Sequence, residues 1–439
     1  MKWLHSTILF CSLVLACLDA SGATARDDHW VVSWAASPHG PYPSGNPSAQ
    51  PDLSAAFENS EAVDQTFRLI VRPSLWGSSI RLRLTNVFGS RAVVFDDVFV
   101  GMQSSGGNIA TGTNRQVRFK GQTEVSIPPG GTATSDALEL PLVKDPSDAM
   151  LAGRKLAVSF HVAGPSGAMT WHAKALQTSY LTAPRSGSHG RDDRDDRFAY
   201  TTTSWYFLDA VDAIAPESTV AVACFGDSIT DGTASTLNGD DRWPDVLSTR
   251  LRAKYGARVS VVNAGIGGNR VTSSPYSAAK PVAGGPSAVE RFDRDIVSLS
   301  GVRAVIWLEG INDLAAGAKA DEVIAGLKNV VARGRARGLK MFGATIVSSL
   351  GSATAHGSPQ ADAERQAINA FIRTPGSFDG VFDFDAATRD PGTGGLRAAF
   401  QPNSTTGGPG DRLHPNRAGY QAMGQAVDLD LLAAALGIR

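Results

Sequence analysis

The chain has little cysteine, almost no net charge and no long apolar run beyond its first residues, and each shortage excludes a class of protein. Only three cysteines occur in 439 residues: Cys11, Cys17 and Cys224. The first two lie in a segment that reads as a cleaved export signal, so a mature chain keeps Cys224 alone and forms no intramolecular disulfide. Cys224 sits in the apolar run VAVACF, which predicts a buried, inert thiol. Lys and Arg total 41 against 42 Asp and Glu, a formal net charge of -1, so the basic footprint that nucleic-acid binding needs is absent. After the amino-terminal segment no stretch is long enough for a transmembrane helix. No His or Cys cluster has the spacing of a metal site, and neither a metal nor another cofactor is expected.

What is present begins with MKWLHSTILFCSLVLACLDASGATA. One early lysine, a short apolar stretch and small residues ending in Ala23-Thr24-Ala25 predict a secretory signal over residues 1–25, cut after Ala25, and a secreted or periplasmic location. The run LVLAC also loosely matches a lipoprotein box with Cys17 as acceptor, with Leu15 where a small residue is more usual.

Two rhythms divide the rest. Over residues 29–211 short strands alternate with Gly and Pro turns. In SIRLRLTNVF, Ile80, Leu82 and Leu84 alternate with Arg81, Arg83 and Thr85, and KLAVSFHV behaves alike, predicting strands with one buried and one wet face. Many short strands without a convincing helix predict an antiparallel, jelly-roll-like β-sandwich. Near residues 186–197 the interleaved Arg and Asp of RSGSHGRDDRDD predict an exposed, mobile insertion. The boundary is placed in DAIAPEST, residues 212–219. Over residues 219–436, apolar runs such as VAVACF, VSVVNA, RAVIWLEG, KMFGATIV and GVFDFD alternate with helical stretches, the first RWPDVLSTRLRAKYG at 242–256 with Gly256 as its stop and others at 286–299, 320–337, 360–373 and 416–436. That pattern predicts a parallel sheet covered on both faces, with ligands bound at the carboxyl ends of the strands.

Four motifs follow those apolar runs. Gly226-Asp227-Ser228 can turn tightly and expose a serine; alone, it is an ordinary polar turn. NAGIGGNR, residues 263–270, frees backbone N–H groups for an oxyanion, and lacks the third spaced glycine of a dinucleotide fingerprint. Asn312 in GINDL reads as a helix cap or as an amide donor to a substrate oxygen. In DRLHP, Asp411 precedes His414 by three residues, a carboxylate able to orient an imidazole base.

In this order the four motifs resemble the blocks of the SGNH/GDSL hydrolase superfamily over about residues 219–436. The resemblance implies a flavodoxin-like three-layer domain that hydrolyses carboxylic esters through an acyl-enzyme. It implies Ser228 as nucleophile, His414 as base, Asp411 as its orienting carboxylate, and an oxyanion hole from the N–H groups of Ser228 and Gly268 and the amide of Asn312. Asp227 is expected to brace the turn. The chain has no Gly-x-Ser-x-Gly, which argues against an α/β-hydrolase elbow, and the leading sandwich is no part of a minimal SGNH domain. Arg270, Trp243 and Tyr276 are candidates to line a substrate site, although Trp243 also suits a helix core. Three functions stay open: a carbohydrate acetylesterase acting on a small-molecule or polysaccharide ester, a general short-chain esterase or lysophospholipase, and a catalytically inactive glycan-binding protein.

Overall fold

The computed structural model describes residues 28–438, so the segment expected to be an export signal, with Cys11 and Cys17, lies outside the described residues. The first half is all-β and its strands pair antiparallel throughout. One sheet runs in the order Asp28–Ala35, Leu208–Pro216, Ser79–Thr85, Leu138–Glu139, with Thr132–Thr134 also paired to Ser79–Thr85. A second runs Tyr200–Thr202, Ser179–Leu181, Gln65–Val71, Leu156–Val162, Val93–Ser105, Asn108–Ile109, and a third, small sheet pairs Trp205–Tyr206, Thr170–His172 and Gly40–Pro41. Stacked Phe67 and Phe160, with ring centroids 5.3 Å apart, and Phe95 and Phe207 beside them fill the space inside. The strand Leu208–Pro216 continues past residue 211, and the link to the second half is the turn at 217–219.

Two features differ from the sequence reading. Leu156–Val162 is buried on both faces, although its alternation predicts a wet one. The cover on the polar face comes from the Arg/Asp-rich segment, which is pinned in place. The fully buried Arg68 donates through Nε to Ser159 and through its two terminal nitrogens to the carbonyls of Gly107, His189, Asp192 and Arg194. Phe198 lies over its guanidinium at 4.3 Å. A buried cation satisfied by carbonyls of one loop fixes that loop's backbone; only the acidic and basic tips face solvent.

The second half carries a five-stranded parallel sheet in the order Val259–Gly265, Val220–Gly226, Val302–Leu308, Lys340–Ala344, Gly380–Phe382. Numbered along the chain this is 2-1-3-4-5, the flavodoxin-like order. Within Val220–Gly226, Val222 and Cys224 face the helices Trp243–Tyr255, Arg417–Ala426 and Leu429–Leu436, while Ala221, Ala223 and Phe225 face the opposite layer. Burial pushes the Cys224 thiol well above its ordinary pKa, as an inert strand residue requires. The single helix expected over 416–436 is two, because Asp428 leaves helical geometry and caps a new start through the N–H groups of Asp430 and Leu431.

The two halves share one apolar core, in which Val31 and Val32 of the sandwich pack with Val262 and Val302 of the parallel sheet. Polar bonds stitch the seam: Ser260 Oγ donates to the Val32 carbonyl at 2.6 Å, Val32 N–H donates to Ser300 at 2.9 Å, and Arg81 reaches both Asp212 and Ser300.

Candidate active site

Each of the four motifs stands at the carboxyl end of a strand or beside it, for a local reason. Val220–Gly226 ends at Gly226, where a Cβ would lie 2.2 Å from the Leu308 carbonyl, so only glycine brings the two strand ends this close. Asp227 then caps a one-turn helix, Ser228–Asp231, by accepting the Ile229 N–H at 3.0 Å. Ser228 is 5% exposed and its hydroxyl donates to His414 Nε2 at 2.8 Å. His414 Nδ1–H donates to Asp411 Oδ2 at 2.6 Å, and Asp411 Oδ1 accepts the N–H groups of Leu413 and His414, both at 2.9 Å. Partial burial opposes ionisation of Asp411, but the hydrogen bond and charge of His414 and the two N–H groups outweigh it and hold the carboxyl well below the usual range. An ionised carboxylate only accepts, so it fixes the imidazole with Nδ1 protonated and Nε2 free to take the serine proton.

The N–H groups of Ser228, Gly268 and Asn312 are the candidate donors for a developing oxyanion. Among the described residues, neither the Ser228 N–H nor the Gly268 N–H has an acceptor. Gly268 holds φ +83°, a conformation that glycine adopts without penalty. Asn312 donates one amide N–H to the Asn269 carbonyl at 2.9 Å and keeps its second.

Several residues that hold this loop carry no motif of their own. Fully buried Arg291 donates to the carbonyls of Gly226 and Ala264, each at 2.8 Å, and to Asn269 Oδ1 at 2.7 Å, tying two strand ends to the glycine loop. From the sandwich, His172 Nε2 lies 3.1 Å from Asp231 Oδ1, and the other oxygen of Asp231 accepts the Gly267 N–H at 2.9 Å. The amide of Asn46, also from the sandwich, packs against Gly267, where an added Cβ would come within 2.4 Å of its Oδ1. The sandwich therefore forms one wall of the site, a fact that no spacing in the chain records.

The three substrate-lining candidates fare differently. Trp243 is fully buried, packed at 5.1 Å on Phe384 on the helix side of the sheet, and lines no cleft. Its place on an apolar helical face is the physical reason. Tyr276 is half-buried between Gly40 and Phe88 of the sandwich. Arg270 is half-buried beside the Asn269 carbonyl that Asn312 binds.

Below the site lies a buried acidic pair. Burial pushes Asp227 up to about 7, against the Ile229 N–H, and Glu309 up to about 8, against the attraction of Arg291. Glu309 accepts the Trp307 indole N–H at 2.7 Å through one oxygen, and its other oxygen has no partner among the described residues. Between its ordinary value of 4.5 and about 8 the folded chain holds a proton that the unfolded chain has released, so folding loses stability as pH rises through that window. Glu309→Gln is expected to flatten this decline, and thermal melts at pH 5 and pH 8.5 would show the midpoint falling less than in the parent. An unchanged fall would show that Glu309 ionises normally.

Comparison with known proteins adds the following. Residues 224–422 match the GDSL-like Lipase/Acylhydrolase family. No curated protein matches the chain. Among solved structures, a carbohydrate acetylesterase family member from Sinorhizobium meliloti is similar at 18% identity and TM-score 0.39, over 50% of this chain and 100% of that one. The M. smegmatis aryl esterase is similar at 18% identity and TM-score 0.33, over 47% and 96%. A GDSL-like lipase from Bacteroides thetaiotaomicron is similar at 15% and 0.36, over 49% and 88%. Residues 224–422 therefore form a GDSL-like lipase/acylhydrolase domain, and that domain supports reading the chain as a carboxylic ester hydrolase.

Proposed function

We propose that this protein is an exported serine esterase that removes short acyl groups, acetyl above all, from a carbohydrate. The observation that carries the chemistry is the continuous hydrogen-bond path from Ser228 Oγ through His414 to Asp411, beside two unpaired backbone N–H groups. Ser228 Oγ attacks the ester carbonyl carbon while His414 Nε2 takes its proton. The developing oxyanion is met by the Ser228 and Gly268 N–H groups and the free N–H of Asn312. Collapse expels the alcohol, protonated by His414, and leaves an acyl-serine. Water then attacks the acyl carbon, again losing a proton to His414, and the carboxylic acid departs as the Ser228 hydroxyl is restored.

The substrate class is read from the loops around the serine. Residues 39–50, 267–287, 348–358 and 401–414 meet there, and Gly, Ser, Thr, Asn and Pro dominate them. Such walls offer many hydrogen-bonding groups and little apolar surface, which suits a polyhydroxylated alcohol and a small acyl group. Export follows from the amino-terminal signal, which would put the enzyme where polysaccharides occur.

An acyl series of p-nitrophenyl esters from acetyl to palmitoyl, run beside acetylated xylan and pectin, tests this. We expect kcat/KM to fall by about tenfold or more between acetyl and octanoyl, with acetate released from at least one polysaccharide. Peak activity on long acyl chains would reject the acetylesterase reading and leave a lipolytic one.

A further inference from the structure

Beyond Ser228, Asp411 and the oxyanion donors, one imidazole near the site has no motif to announce it. His356 lies in the single turn Ala355–Gly357, in a Gly/Ser loop after the fourth strand of the parallel sheet, and is partly buried. Its Nε2 is 3.1 Å from Asn312 Oδ1 and its Nδ1 is 2.9 Å from Thr354 Oγ1.

The direction of each bond follows from its partners. The Asn269 carbonyl can only accept, so the nitrogen of the Asn312 amide must face it, at 2.9 Å. That leaves Oδ1 toward His356, and an amide oxygen also only accepts, so His356 Nε2 carries the hydrogen. His356 Nδ1 is then the acceptor for the Thr354 hydroxyl. Rotating the amide by half a turn would set its oxygen against the Asn269 carbonyl oxygen, so the carbonyl fixes which way the amide faces and His356 holds Oδ1 from the other side. With the carbonyl setting the orientation and the imidazole bonded to Oδ1, Asn312 is held at both ends, and its second N–H has no partner among the described residues.

We infer that His356 is a positioning residue for catalysis, locking the Asn312 amide so that its free N–H faces the oxyanion. The inference rests on the reading of Asn312 as an oxyanion donor. A preorganised donor needs no reorganisation as charge develops, which is where such groups gain their effect. Burial and the nearby His414 both lower the His356 pKa, against Asp411, so His356 stays neutral while His414 takes up the serine proton. It therefore adds no second positive charge to oppose that transfer.

Steady-state kinetics on p-nitrophenyl acetate for His356→Ala, His356→Gln, Asn312→Ala and the double variant His356→Ala/Asn312→Ala test the inference. We expect His356→Ala to lower kcat by about tenfold with KM little changed, in the range seen for coupled hydrogen-bonded neighbours. His356→Gln, whose amide can donate to Oδ1, should recover most of the loss. In the Asn312→Ala background, removing His356 should cost less than twofold more. An equal cost in both backgrounds, or His356→Ala at parental kcat while Asn312→Ala is impaired, overturns the inference and leaves Asn312 in place. If Asn312→Ala itself turns over at the parental rate, the oxyanion reading fails and this inference with it. Thermal melts of each variant separate loss of fold from loss of rate, and His356→Gln keeps the test open should the alanine variant unfold.

Discussion

Ser228→Ala is expected to lower kcat on p-nitrophenyl acetate by on the order of 10⁴-fold or more while leaving the melting temperature near that of the parent. The rate effect is large because the hydroxyl supplies the only atom that forms the acyl-enzyme, and without it His414 has no proton to accept. The stability effect is small because, among the described residues, Ser228 Oγ makes a single hydrogen bond, to His414. Spectrophotometric assay with parallel melts checks both halves. The same variant separates a hydrolase from a glycan-binding protein, since a binding protein would show no dependence of ester cleavage on this residue.

Asn312→Ala is expected to cost on the order of a hundredfold or more in kcat, with KM within a few-fold, because a lost oxyanion donor weakens the transition state more than the bound ester. The Ser228 and Gly268 N–H groups remain, which is why the loss stops short of that for Ser228. Asn312→Asp should fare no better, since it sets a negative charge where negative charge develops. A change confined to KM would mean that the amide binds the ground-state substrate and is no oxyanion donor.

The division of the chain and its sheet could be read because their signals are local. Apolar runs such as VAVACF announce strands, and the turn chemistry of Gly226 and Asp227 is written in adjacent letters. The residues that brace the site were illegible for the opposite reason. Arg291 acts on carbonyls 65 and 27 positions away in sequence, at Gly226 and Ala264, and His172 reaches Asp231 across 59 residues. A lone arginine or histidine carries no spacing rule that reveals such a partner. The charged segment near 186–197 shows the same limit: its letters describe solvent-exposed tips, whereas its order comes from Arg68, more than a hundred residues upstream. Trp243 was legible in principle, since its helical spacing with Val246, Leu247 and Leu251 already placed it on a buried face.

The wall built by the sandwich bears on how the enzyme is organised. Asp231 is fully buried; burial opposes its ionisation, yet His172 and Lys174 of the sandwich keep it a carboxylate, and it holds the N–H of Gly267 next to the Gly268 donor. The glycine loop is thus anchored from both halves of the chain, and the shared apolar core joins them into one body.

The central claim is that ester cleavage passes through a covalent adduct on Ser228. Incubating the parent and Ser228→Ala with diethyl p-nitrophenyl phosphate, followed by peptide mass spectrometry, tests it most directly. A single diethylphosphoryl adduct on the peptide containing Ser228, with activity lost in step and no adduct on the alanine variant, is the predicted result. An adduct on another residue with activity lost, or full inhibition of residual esterase activity in Ser228→Ala, would contradict it.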